Sequence, residues 1–218
     1  MLAEKLLDLK KNLVAYAALV ETMVADGLRG LLNRDEERLR RIQAEYEPQA
    51  NRKEIELDEK CVSLLAQYQP KAKDLRTILM ILGMNRDLER MGDHAVNIAQ
   101  SALYLIERPA MEPPLDLPRL GEIVSGMLRD SIDAFVREDS ALGKNVCGRD
   151  DEVDELRAQF LRELIVRMSS DASTIERALH IIRISGNLER IADLTTNIGE
   201  EVIFMVEGRV LKHHTGAN

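Results

Sequence analysis

Tryptophan is absent from this 218-residue chain, and aromatics make up only 3% of it. Any core must therefore be aliphatic. Cysteine is scarce too. Cys61 and Cys147 stand far apart and form no CxxC, so they read as free thiols in a reducing cytoplasm. No run approaches the ~18 apolar residues of a transmembrane helix. The start of the chain, Met1 to Asp8, carries charges every few residues, which excludes a signal peptide. There is no strand pattern, no Gly-rich phosphate loop, and no Ser/His/Asp, Cys/His or Gly-x-Ser-x-Gly arrangement. An enzyme is not expected. What remains is 45% apolar and 31% charged, a globular balance rich in good helix formers. The net charge of −8 argues against nucleic acid as the main partner and suits cations or a basic protein surface.

The chain holds one unit written twice. Leu88-Glu89-Arg90-Met91-Gly92-Asp93-His94-Ala95-Val96-Asn97-Ile98 returns as Leu188-Glu189-Arg190-Ile191-Ala192-Asp193-Leu194-Thr195-Thr196-Asn197-Ile198, with six of eleven positions identical. Leu79/Leu179 and Ile81/Ile181 match in the same register.

Helical periodicity fills both units. The spacing predicts a helix over 2–32, then one from 35 to 46, with Asn33 as its cap. Pro48 is expected to kink or break that helix, and the pattern resumes from Ile55 to Tyr68. Gln69-Pro70 marks a turn, with Pro70 placed to start a long helix over 71–107. Residues 108–118 hold four of the six prolines and read as a linker. The second unit predicts helices over 119–138 and 150–168, a short piece between them, and a long helix over 173–208. The fold expected is all-α: two tandem antiparallel three-helix bundles related by pseudo-twofold symmetry. The divisions are 1–108, a linker at 109–118, 119–210, and a polar, frayed tail at 211–218 that includes His213 and His214.

In each repeated stretch one helical face is apolar (Leu88, Met91, Ala95, Ile98) and a neighbouring line is acidic: Glu89, Asp93 and Asn97, four apart. Carboxylates at i and i+4 repel by a few tenths of a kcal/mol. A single such pair is ordinarily a solvated face. Its return as Glu189, Asp193 and Asn197 calls for a reason, and a cation is one; pairing with an arginine on the facing helix is another. Upstream lie Asp150 and Asp154, again i and i+4, in the second unit. In the first, Glu47 and Asn51 hold the equivalent place, with Glu54 and Asp58 one helical step on. Pairs from neighbouring antiparallel helices can converge, and all-oxygen sets suit magnesium, manganese or iron better than zinc or copper. Gly92 against Ala192 suggests close helix approach or room for a bound group. His94 reads as surface or interhelical.

With these motifs in view, nearly the whole chain resembles the PhoU family of phosphate-uptake regulators. The carriers are Leu88–Asp93 with Asn97-Ile98 and Leu188–Asp193 with Asn197-Ile198. Cys61 with Leu64-Leu65-Ala66, Gln69-Pro70, Asp74-Leu75-Arg76 and Asp150 to Asp154 support them. The resemblance implies tandem bundles whose E/D-x-x-x-D motifs bind iron, manganese or magnesium, in a cytoplasmic protein that commonly forms dimers. It implies work with the ATPase and permease of the phosphate ABC transporter and with a phosphate-sensing histidine kinase. The membrane is then reached through these partners only, and the phosphate-starvation response is held off when phosphate is plentiful. Carried over, Glu89 and Asp93 ligate metal in the first bundle, and Glu189, Asp193, Asp150 and Asp154 in the second. Asn51 departs from the pattern, so the first site either binds more weakly or turns to Glu54 or Asp58. Ala192 departs from the usual glycine.

The leading expectation is a metal-binding regulatory adaptor. Its competitors are a regulatory module of a sodium/phosphate cotransporter, an interaction bundle without metal, and a ferritin-like metalloenzyme. Against the last, Gly92 and Ala192 stand where its Glu-x-x-His motif needs histidine.

Overall fold

The computed structural model of the protein describes residues 2–111 and 116–207, and among these the structure is helical with no strand. The first bundle comprises α1 (Leu2–Asn33), the short α2 (Glu36–Arg41), α3 (Glu47–Tyr68) and α4 (Ala72–Ile106). The second comprises α5 (Leu117–Arg137), the short α6 (Ser140–Cys147), α7 (Asp150–Ser170) and α8 (Ile175–Glu207). Two tandem three-helix bundles result, as the repeat predicts. Residues 112–115 of the expected linker and the expected tail at 211–218, with His213 and His214, lie outside the described residues.

Apolar spacing dictates the packing. Along α1, Leu9, Leu13, Tyr16, Val20 and Met23 are buried, recurring every three or four residues, with Val24 buried beside Met23. Along α4, Met84, Leu88, Met91, Ala95 and Ile98 have no exposure at all. Each such leucine or methionine contributes about 1.5–3 kcal/mol by leaving water. α4 packs against α1 and α3, α8 packs against α5, α6 and α7, and α4 runs against α8 between the bundles. That contact carries the hydrogen bond between His94 Nδ1 and Asn187 Oδ1 (2.8 Å) and the stack of Tyr104 on His180, 3.8 Å between centroids. His94 is thus interhelical.

The bundles share their corners. α1 ends where Arg34 enters the left-handed region (φ 52°), and Asp35 then caps α2 by accepting the Arg38 amide. α5 ends where Glu138 does the same (φ 55°), and Asp139 caps α6 through the amides of Ala141 and Leu142. The helix cap is therefore Asp35 and not Asn33, which is still helical. An aspartate directly after a reversed residue can aim its carboxylate at the free amides; a residue in the last α1 turn cannot. Gln69, at φ 45°, ends α3, and α4 starts at Ala72 with Pro70 outside it. α5 begins at Leu117, so Pro118 sits in its first turn, where the missing N–H has no intrahelical duty.

Pro48 does not break the helix. Residues Ile42–Tyr46 form a π turn, in which the Glu47 amide bonds to the Ile42 carbonyl, and α3 follows without interruption. The wider turn moves the carbonyl that the proline ring would otherwise strike. At the same place the second bundle has a true break, Gly148-Arg149 between α6 and α7.

Candidate functional site

The apolar face of α4 fixes where its carboxylates go. With Leu88, Met91 and Ala95 in the core, Glu89 is half-buried at the edge facing α3, and Asp93 stands one turn on, exposed. From α3, Leu57 and Cys61 enter the core. This leaves Glu54 half-buried and Asp58 exposed beside them. The four acids share one field. Burial, then Asp93 and Glu54, push the Glu89 carboxyl above its usual range. Burial, then Asp58 and Asp93, do the same to Glu54.

α1 adds a residue that periodicity alone files as core. Tyr16 is 1% exposed, and its hydroxyl is pushed far up by burial and by Glu54, Glu89 and Asp93 together. Three helices therefore converge on one acidic point. Buried Asn85 fastens the α3 side: its Nδ2 donates to the Glu54 carbonyl and to Asp58 Oδ1, each at 2.9 Å.

The second cluster uses α7 and α8. Val153, Leu156 and Phe160 enter the core, and Asp150 and Asp154 face α8. Burial, then Asp193 and Asp154, raise the Asp150 carboxyl, while Thr196 donates to it at 3.4 Å. Burial raises Asp193 and the nearby arginines oppose it. Here arginines are present. Arg157 Nη1 lies 3.2 Å from Glu189 Oε1, and Arg190 Nη1 lies 3.4 Å from Asp193 Oδ2.

The structure thus brings Glu54, Asp58, Glu89 and Asp93 together, and separately Asp150, Asp154, Glu189 and Asp193. Among the described residues, no three His, Cys, Asp or Glu side chains stand in a ready-made metal-holding arrangement. The donor chemistry of the first cluster, oxygen only and with no arginine bridged to it among the described residues, fits a hard cation. The second cluster fits it poorly, since Glu189 and Asp193 each already hold a guanidinium.

Gly92 needs no close approach: a β-carbon there would meet only Met23 Cε, at 3.9 Å. The small pair that does matter was not singled out by the repeat. At Gly143 a β-carbon would stand 3.0 Å from the Gly199 carbonyl oxygen, and at Gly199 equally close to that of Gly143. Cys61 is buried and Cys147 half-buried, both as free thiols, with burial pushing them up to about 12 and about 11. Among the described residues, no helix is long and apolar enough to cross a membrane.

A twofold-repeated helical bundle, with an acidic cluster between equivalent helices of each half, defines the class. The family model described as PhoU domain matches the chain twice, at residues 13–102 and 117–202, and the chain belongs to the PhoU family. It is 36% identical over 212 residues to a phosphate-specific transport system accessory protein PhoU homolog of Aquifex aeolicus, covering 97% of this chain and 96% of that one. A homolog of the same description from Pseudomonas aeruginosa is 37% identical over 209 residues, 94% and 85% of the two chains. Among solved structures, PhoU from Pseudomonas aeruginosa superposes with a TM-score of 0.91 at 36% identity, covering 96% of this chain and all of that one. The phosphate transport system regulatory protein PhoU from Streptococcus pneumoniae superposes at 0.89 with 27% identity, covering 98% and 100%.

Proposed function

We propose that this protein is a cation-binding regulatory adaptor of phosphate uptake. In this reading it sits in the cytoplasm, joins the ATPase and permease of the phosphate ABC transporter to the phosphate-sensing histidine kinase, and restrains the phosphate-starvation response. The relatives' descriptions, an accessory protein of phosphate-specific transport and a phosphate transport regulator, support the setting. The observation that carries the mechanism is the recurrence of carboxylates at equivalent points of both bundles.

Glu54, Asp58, Glu89 and Asp93 would hold iron, manganese or magnesium in the first bundle, and in the second Asp150 and Asp154 are the carboxylates of the cluster not bridged to an arginine among the described residues. The cation would supply positive charge that lets crowded carboxylates ionise together. The chain's own residues do the rest. Asn85 holds Asp58 in place, Tyr16 closes the floor against water, and the acidic surface meets basic partner patches. The working form in this reading is a homodimer.

Two measurements test it. Metal content by mass spectrometry should be substantial in untagged wild type and lost when Glu89, Asp93, Glu189 and Asp193 are all changed to alanine. Purified transporter ATPase should be retained by the wild-type protein and released by the same variant. Retention unchanged by the substitutions would remove the cation from the mechanism and leave only an interaction bundle.

A further inference from the structure

The two acidic clusters differ by a reversal of charge at one position. The register between bundles is set by core residues of the second helix: Ala50, Leu57 and Cys61 of α3 correspond to Val153, Phe160 and Leu164 of α7, all buried. In that register Glu54 corresponds to Arg157. Each faces the matching glutamate of the long helix. Glu54 repels Glu89, whereas Arg157 forms an ion pair with Glu189 at 3.2 Å, its partner only 17% exposed.

A second difference acts in the same direction. Arg90 leans back to Asp87, at 4.0 Å. Its counterpart Arg190 finds Asn187 where Asp87 would be, and Asn187 accepts from His94 Nδ1 with its Oδ1 and donates its amide to the Arg183 carbonyl. Arg190 turns to Asp193 instead. Two substitutions, Glu54/Arg157 and Asp87/Asn187, thus leave the first cluster without a bridged arginine and the second with two.

We infer that Arg157 is a built-in counter-ion that takes the place of the cation in the second bundle, so that only the first bundle needs one. A guanidinium is permanently charged and presents planar paired donors to a carboxylate. It neutralises Glu189 without ion supply, and a divalent ion entering there would have to expel it. The second half is then a constant scaffold and the first half the part whose charge responds to the cation. This inference rests on the cation-binding reading, and the experiment below separates the two.

The full chain is titrated with manganese, free and bound ion being read by electron paramagnetic resonance. The wild type, Arg157→Glu (which copies the first cluster) and Glu54→Arg (which copies the second) are compared, with circular dichroism to confirm folding. Arg157→Gln and Glu54→Gln stand in should either charge reversal fail to fold. Binding by the first bundle alone is expected in wild type. Arg157→Glu then doubles the stoichiometry, and Glu54→Arg abolishes it. Wild-type binding that survives Glu54→Arg, or stoichiometry unmoved by Arg157→Glu, overturns the inference while cation binding stands. If wild type binds nothing but Arg157→Glu binds manganese, Arg157 is shown to exclude a cation from the second bundle, while the first-bundle half of the inference and the cation-dependent adaptor both fall. If neither binds, both are overturned.

Discussion

Glu201 Oε1 lies 3.2 Å from the point where a β-carbon on Gly83 would stand. The missing side chain on α4 makes a slot for a carboxyl from α8. Glu201 Oε2 is buried there without a hydrogen-bond partner, and burial, then the nearby Asp87, push its carboxyl up to about 7, with Arg86 opposing.

Stability should therefore depend on pH through this residue. Its folded value lies above the unfolded 4.5, so the native state holds more protons between these limits. The contribution is fully present below pH 4.5 and is lost as pH rises through about 7. The full shift corresponds to roughly 3 kcal/mol, and about 1–2 kcal/mol after discounting for the solvent that reaches the group. Thermal unfolding from pH 5 to 8 should show the wild type losing stability and Glu201→Gln losing less. Parallel curves would refute the assignment.

Glycines at contacts between helices should divide into two kinds. Gly143→Ala and Gly199→Ala each drive a β-carbon against a fixed backbone carbonyl at 3.0 Å and should cost about 1–3 kcal/mol. Gly92→Ala meets only Met23 Cε at 3.9 Å and should stabilise by up to about 1 kcal/mol through helix propensity. Urea midpoints of the three variants decide the matter; equal losses would mean that the α6–α8 approach is looser than described.

Asn85→Ala removes the amide that holds Asp58 and the Glu54 carbonyl. A loss of about 1–3 kcal/mol in stability is expected. Manganese affinity should fall as well, because Asp58 is freed. A stability loss with unchanged affinity would place Asp58 outside the site.

Asp35→Ala and Asp139→Ala should each cost about 1 kcal/mol, since both carboxylates cap a short helix after a left-handed residue. Asn33→Ala should be nearly silent. Chemical denaturation of the three variants separates the two positions for the cap.

The bundles and the acidic lines were legible because each depends on short-range spacing: Leu88, Met91 and Ala95 point one way and Glu89 and Asp93 another in any regular helix. The sense of the clusters' inequality was not: Asn51 pointed to the first site as the weaker, whereas the arginines bridge the second. It depends on which α3 residue meets which α4 residue, and that register passes through a turn of different length in each repeat. Arg157 therefore drew no notice in the sequence, where it is one arginine among many, and Tyr16 was absorbed into an apolar stripe. Pro48 misled for a related reason: its rule assumes an α-helical turn before it, and the chain makes a π turn.

That π turn has a consequence for inheritance. The corners Asp35 and Asp139 are one residue further apart in numbering than the core pairs Ala50/Val153 and Leu57/Phe160. The first repeat thus carries one residue more between its corner and its α3 core, and Ile42–Tyr46 is the wide turn that takes it up. In an unbroken α-helix one added residue would swing everything beyond it by about 100° and carry Glu54 off Glu89. Confined to this wide turn, the extra residue leaves both flanks aimed as they are in the second repeat, so the two halves differ in length without differing in aim.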